Sequence, residues 1–175
     1  MRIFKYIFFI LFLFVININD VKAQEKVSYI DIDYILSSSV VGKLLLNKLK
    51  EEEELKFNNF KLKDEDFKKR ENTILAKKKI ISKEIINNEL KALQIEYNEY
   101  TKNKISQIDE LKKKRKRNIV NFINLLNPII EKYMADNSIY MLIDKKNVFI
   151  AKKDYDITNN LIELINNQIK NIEIK

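Results

Sequence analysis

The chain has no cysteine and no histidine. Without thiols there is no disulfide, no thiolate metal site and no sulfur nucleophile. Without imidazole there is no side chain whose ordinary pKa lies near neutrality, and the commonest metal ligand is missing. Tryptophan is absent too, and glycine and proline occur once each, as Gly42 and Pro128. So few backbone breakers argue against a sandwich or barrel built on many tight turns and favour long helices. Asp, Glu, Lys and Ser remain available for chemistry, but no spacing in the sequence gathers them. No catalytic residue, metal ligand or cofactor is assigned, and a non-enzymatic role is expected.

What is present is 175 residues, 46% hydrophobic and 33% charged, with a formal net charge of +8. That composition fits one domain, or one small body with an extended arm, rather than an acidic disordered tail or a multi-span membrane protein. The first residues read as an address. Arg2 and Lys5 precede an apolar run from Ile7 to Ile16, and Val21-Lys22-Ala23 offers a small-x-small cleavage site before Gln24. The run is about half the 20 or so apolar residues a membrane span needs, so a signal peptide over 1–23 is expected, cut after Ala23. A secreted chain without cysteine must draw its stability from packing or self-association.

Val27 to Asp33 is rich in β-branched and aromatic residues and predicts a strand, on which Asp31 and Asp33 share a face. Paired carboxylates at that spacing can serve acid–base chemistry, but no pocket signal accompanies them and they are read as structural. Ser37-Ser38-Ser39 then offers N-cap oxygens. From about 40 to 136 the chain predicts helix. Ile86, Leu90, Leu93, Tyr97 and Tyr100 step by alternating four and three; Ile105, Ile108 and Leu111 follow after a slip; Ile119, Phe122, Leu126, Ile129 and Tyr133 resume the pattern. This is a coiled-coil stripe. The first half is thinner, with Leu45, Leu49, Phe60, Phe67, Ile74 and Ile81. A half-filled stripe needs a partner, so the two halves are expected to fold back on one another, turning near Lys79–Glu84 around Ser82. Arms of this length extend on the order of 60 Å, and Pro128 is expected to kink the second one. Ile139–Asp144 and Asn147–Ala151 read as a β-hairpin about Lys145-Lys146, and Asp156 or Thr158 as the cap of a last helix. The expected fold is mainly α with a small β body (α+β). A long antiparallel helical hairpin is inserted between one N-terminal strand and a C-terminal β-hairpin plus helix. The expected divisions are 1–23, a body from 24–39 and 137–175, and an arm at 40–136.

Three features invite a functional reading. Lys112, Lys113, Lys114, Arg115, Lys116 and Arg117 form the densest charge cluster. It reads either as a solvated helix face or as a surface attracting acidic partners or anionic head groups. A secretory signal argues against nucleic acid. Phe57, Phe60, Phe67, Tyr97 and Tyr100 read either as seam packing or as weak, many-point contacts to an unfolded chain. Glu51-Glu52-Glu53-Glu54 points round a helix turn, where four carboxylates do not converge; pairing with lysines is expected.

The order of elements, with Val27-Ser28-Tyr29-Ile30-Asp31, Gly42-Lys43, Met141-Leu142-Ile143-Asp144, Val148-Phe149-Ile150 and Asp156-Ile157-Thr158, resembles the Skp/OmpH family of outer-membrane-protein chaperones. The resemblance spans 26–170. It implies a periplasmic, ATP-independent holdase: a homotrimer whose strands form a central body and whose arms enclose unfolded outer-membrane proteins, with contacts to lipopolysaccharide or anionic lipid. It places Ile30, Ile32, Leu142, Val148 and Ile150 in the oligomerisation body. The expected client-binding set is the five arm aromatics with the basic run at 112–117. The rival reading is a structural coiled-coil spacer or tether of the envelope that binds no client.

Overall fold

The structure is a computed structural model and describes residues 26–172. The expected signal peptide at 1–23 lies outside them. In order the chain forms β1 (Lys26–Ile30), α1 (Ile32–Ser38), α2 (Val40–Ala76), a 3-10 turn at Lys77–Lys79, and α3 (Lys83–Asp136). Then come β2 (Ile139–Asp144), 3-10 turns at Lys145–Asn147 and Lys153–Tyr155, and α4 (Thr158–Gln168). The α+β class and the inserted helical hairpin are as expected.

The first strand is shorter than the sequence suggested. It stops at Ile30 because Asp31 caps a helix: its carboxylate accepts from the Tyr34 N–H at 2.9 Å. Asp31 and Asp33 therefore do not share a strand face. Each binds a lysine instead, Asp31 to Lys145 at 3.1 Å and Asp33 to Lys146 at 2.8 Å. Ser39 ends α1 and caps α2, accepting from the Gly42 N–H at 3.1 Å. Gly42 is required there, because a Cβ would fall on the carbonyl of Leu36.

The sheet has two parallel strands, with Val27 opposite Met141 and Ile30 opposite Asp144. Parallel strands need a long crossover, and here the whole excursion through α2 and α3 is that crossover. On the far side of β1, Tyr29 bridges Asp156, and its carbonyl accepts from the Ile157 N–H at 3.1 Å. The expected second strand of the hairpin, 147–151, is not a strand. Asp144 accepts from the Lys146 N–H and starts a 3-10 turn, while Lys145 and Lys146 are drawn to Asp31 and Asp33. The chain is turned away from β2, and Phe149 and Ile150 stand fully in solvent.

The core gathers both ends of the chain and both feet of the arm. Ile30, Ile35 and Leu36 meet Val41, Leu45 and Leu49 from α2, Phe122, Leu126 and Ile129 from α3, and Leu161 and Ile165 from α4. The last helix differs from the expected cap: Ile157 holds the N-cap position without a side-chain cap bond, while Asp156, one residue before it, accepts from both the N–H and the hydroxyl of Thr158. α3 continues as helix through exposed Pro128, which has no N–H to donate to the carbonyl of Asn124.

Candidate functional site: the helical arm

Beyond this core α2 and α3 run side by side. At 1.5 Å per residue, 37 and 54 residues give lengths of about 55 and 80 Å. The turn lies where the sequence placed it: Ser82 caps α3, accepting from the Ile85 N–H at 3.4 Å. Polar pairs fix the antiparallel register. From the foot outward they are Glu52–Lys114 at 2.8 Å, Glu53–Arg115 at 3.2 Å, Asp64–Lys104 at 2.6 Å, Arg70–Glu96 and Lys77–Glu89 at 3.2 Å.

An aromatic knot holds the middle of the arm. Phe67 packs on Tyr97 and Tyr100 with ring centroids 5.3 and 5.2 Å apart. Phe60 is buried beside Phe57, and the Tyr100 hydroxyl donates to the Phe60 carbonyl at 3.0 Å. The Lys104 ammonium lies over the rings of Phe60 and Tyr100 at 5.7 and 5.8 Å, a favourable place for a cation. The Lys104 hydrogen bond holds the Asp64 carboxyl below the usual carboxylate range, and Asp64 in return raises Lys104. Burial raises Tyr100, with Asp64 adding to it. Farther out the Arg70 fork lowers Glu96. A groove of about 560 Å³ runs alongside, floored by Phe67, Leu90, Leu93 and Tyr97.

The sequence-level candidates divide under this geometry. Phe60 and Phe67 belong to the seam, and Tyr100 is half-buried in it. Phe57 and Tyr97 keep about half of their surface open. Leu55, Leu62 and Ile80 are exposed along the arm although no aromatic signal marked them, and Ile105, expected on the stripe, is exposed as well because its neighbour Lys104 takes the inward position against Asp64. Leu55 and Leu62, seven residues apart, were legible as a second, outward stripe on α2. The basic run also splits: Lys114 and Arg115 turn inward to Glu52 and Glu53, while Lys112, Lys113, Lys116 and Arg117 face solvent. In the body, Ile30 is buried, Ile32 and Leu142 pack against the core, Val148 is half-buried and Ile150 is exposed. Among the described residues no three carboxylates gather as metal ligands.

A small α+β body carrying a long inserted hairpin of two helices defines a class of arm-bearing proteins. The chain belongs to the OmpH-like outer membrane protein family, whose model matches residues 26–165. Among solved structures, the crystal structure of a Caulobacter crescentus CB15 protein assigned as an OmpH-like outer membrane chaperone is similar in fold. It covers 85% of this chain and 88% of its own, with a TM-score of 0.76 at 19% sequence identity. No curated protein matches the chain.

Proposed function

We propose that this protein is an ATP-independent periplasmic holdase for unfolded outer-membrane proteins, without enzymatic activity. The observation that carries the reading is the arm: two helices tens of ångströms long, with Leu55, Phe57, Leu62, Ile80 and Ile105 open to solvent between charged residues. These large apolar side chains keep half or more of their surface open to solvent. Each can make a brief contact with an unfolded polypeptide, and many such contacts hold it while leaving it free to go. The outward cations Lys112, Lys113, Lys116 and Arg117 speed the capture of acidic chains, and could equally rest on lipopolysaccharide or anionic lipid.

Membership of the OmpH-like family supports the envelope setting. We further assign a homotrimer, in which the exposed Phe149 and Ile150 and the open edge of β2 at Tyr140 and Met141 face neighbouring copies. In that division the arm spans 40–136 and the body 24–39 with 137–175. The mature protein begins after Ala23.

The test is light scattering from an outer-membrane β-barrel protein diluted out of denaturant, with and without the mature protein, in the absence of nucleotide. Suppressed scattering at trimer stoichiometry is expected, and weaker suppression at high salt. Unchanged scattering at every salt concentration would favour the envelope spacer. The mass of the mature protein in solution decides the trimer.

A further inference from the structure

We propose that the acidic run at Glu51–Glu54 is a built-in occupant of the basic run at Lys112–Arg117, covering part of it against acidic polypeptide segments. Both runs lie on the arm at the same level. The Lys114 ammonium lies 2.9 and 2.8 Å from the two carboxylate oxygens of Glu52, and an Arg115 guanidinium nitrogen lies 3.2 Å from Glu53. All four side chains are only partly covered, 29–41% exposed.

The surroundings make this a contact that a competitor can enter. The arm has no buried residue on α2 between Leu49 and Phe60, and none on α3 between Leu93 and Asn118. Charged pairs stand where a coiled coil would place apolar ones, so no hydrophobic contact locks these four side chains together. Pairs that stay partly open to water in this way hold weakly and exchange readily. A carboxylate from another chain offers Lys114 and Arg115 the same chemistry that Glu52 and Glu53 offer. Lys112, Lys113, Lys116 and Arg117 are exposed and, among the described residues, make no salt bridge. An acidic segment arriving there meets four open cations, and reaches the inward two only by displacing the internal carboxylates that hold them. The inference deepens the holdase reading by naming the client chemistry and an internal competitor for it, but its test needs no folded or unfolded client.

The probe is labelled poly-L-glutamate, titrated with the full mature protein at low and at physiological salt. Glu52→Gln with Glu53→Gln is expected to tighten binding about threefold or more at low salt, from two freed cations at the usual worth of exposed pairs. The gain should vanish when Lys114→Gln and Arg115→Gln are added. Glu51→Gln with Glu54→Gln makes the same change in net charge and should give no comparable gain. In the otherwise unchanged protein, Lys114→Gln with Arg115→Gln should weaken binding less than Lys112→Gln with Lys113→Gln. That comparison decides the matter if the glutamate variant loses helix. No gain in a fully helical Glu52→Gln/Glu53→Gln protein would overturn the proposal. So would an equal gain in the Glu51/Glu54 variant, or equal losses in the two lysine-side variants. A protein that obeys this pattern yet fails to suppress aggregation would sink the holdase reading and leave the internal competition standing.

Discussion

The Thr158 hydroxyl oxygen accepts the backbone N–H of Asp31 at 3.0 Å, across 127 positions of sequence. That bond ties the start of α1 to the start of α4, and Asp156 supports it from behind by accepting the Thr158 hydroxyl. Thr158 is buried. Thr158→Val keeps the shape and leaves the donor of Asp31 and the carboxylate of Asp156 short of a partner. The expected cost is about 1–3 kcal/mol, read as a lower urea midpoint, with Thr158→Ser restoring most of it.

Gly42 sits against the carbonyl of Leu36 at the corner between α1 and α2. Neither helix can recede, since Ile35, Leu36 and Val41 are all in the core. Gly42→Ala should therefore destabilise by about 1–3 kcal/mol, although alanine is the better helix former, because overpacking outweighs propensity. Thermal melting checks it; a rise in melting temperature would contradict the corner geometry.

Phe67 is the centre of the mid-arm knot. Phe67→Ala should loosen the outer arm while leaving the body intact, because no core residue of the body touches it. A buried aromatic truncation typically costs about 3–5 kcal/mol, and the open arm should show the lower end. Amide exchange should quicken at residues 60–100 and stay slow in β1, β2 and α4.

The Asp64–Lys104 pair gives the arm a dependence on acid. The folded-state pKa of Asp64 is depressed, first by the Lys104 hydrogen bond. A depressed carboxylate contributes stability that is present above its unfolded value, 3.8 here, and lost as pH falls through the lower folded value. Asp31 behaves alike at the foot of α1, held down chiefly by the Tyr34 N–H. Helicity followed by circular dichroism should be flat at neutral pH and fall in acid below that unfolded value. Asp64→Asn should start lower and lose less on acidification; an identical acid limb would show that the pair is not responsible.

Much of this architecture could be read from the residues, for definite reasons. Gly and Pro are so rare that helix breaks show clearly, and Ser82 marks the turn because the seam loses phase there and a capping oxygen is at hand. The alternating stripe through Leu93, Phe122, Leu126 and Ile129 reported the buried face directly. The β elements were less legible because apolar runs do not say what they pair with. Val148-Phe149-Ile150 looks like a strand, yet the lysines before it bind Asp31 and Asp33, partners more than a hundred residues away. Asp31 itself illustrates the same limit: strand propensity carries through it, but the helix that follows claims its carboxylate as a cap. Within the candidate site, the division of the arm aromatics and of the basic run depended on which face meets the other helix. That choice is set by the register of the hairpin, which neither helix specifies alone.

Because the feet of α2 and α3 pack side by side in the core, the arm leaves and re-enters the body through adjoining doorways. Its length is consequently a free dimension. Removing whole turns in matched amounts from both helices beyond the knot would shorten the reach while the body kept every one of its own bonds. A scaffold of this design can be gauged to guests of different bulk without rebuilding its foundation.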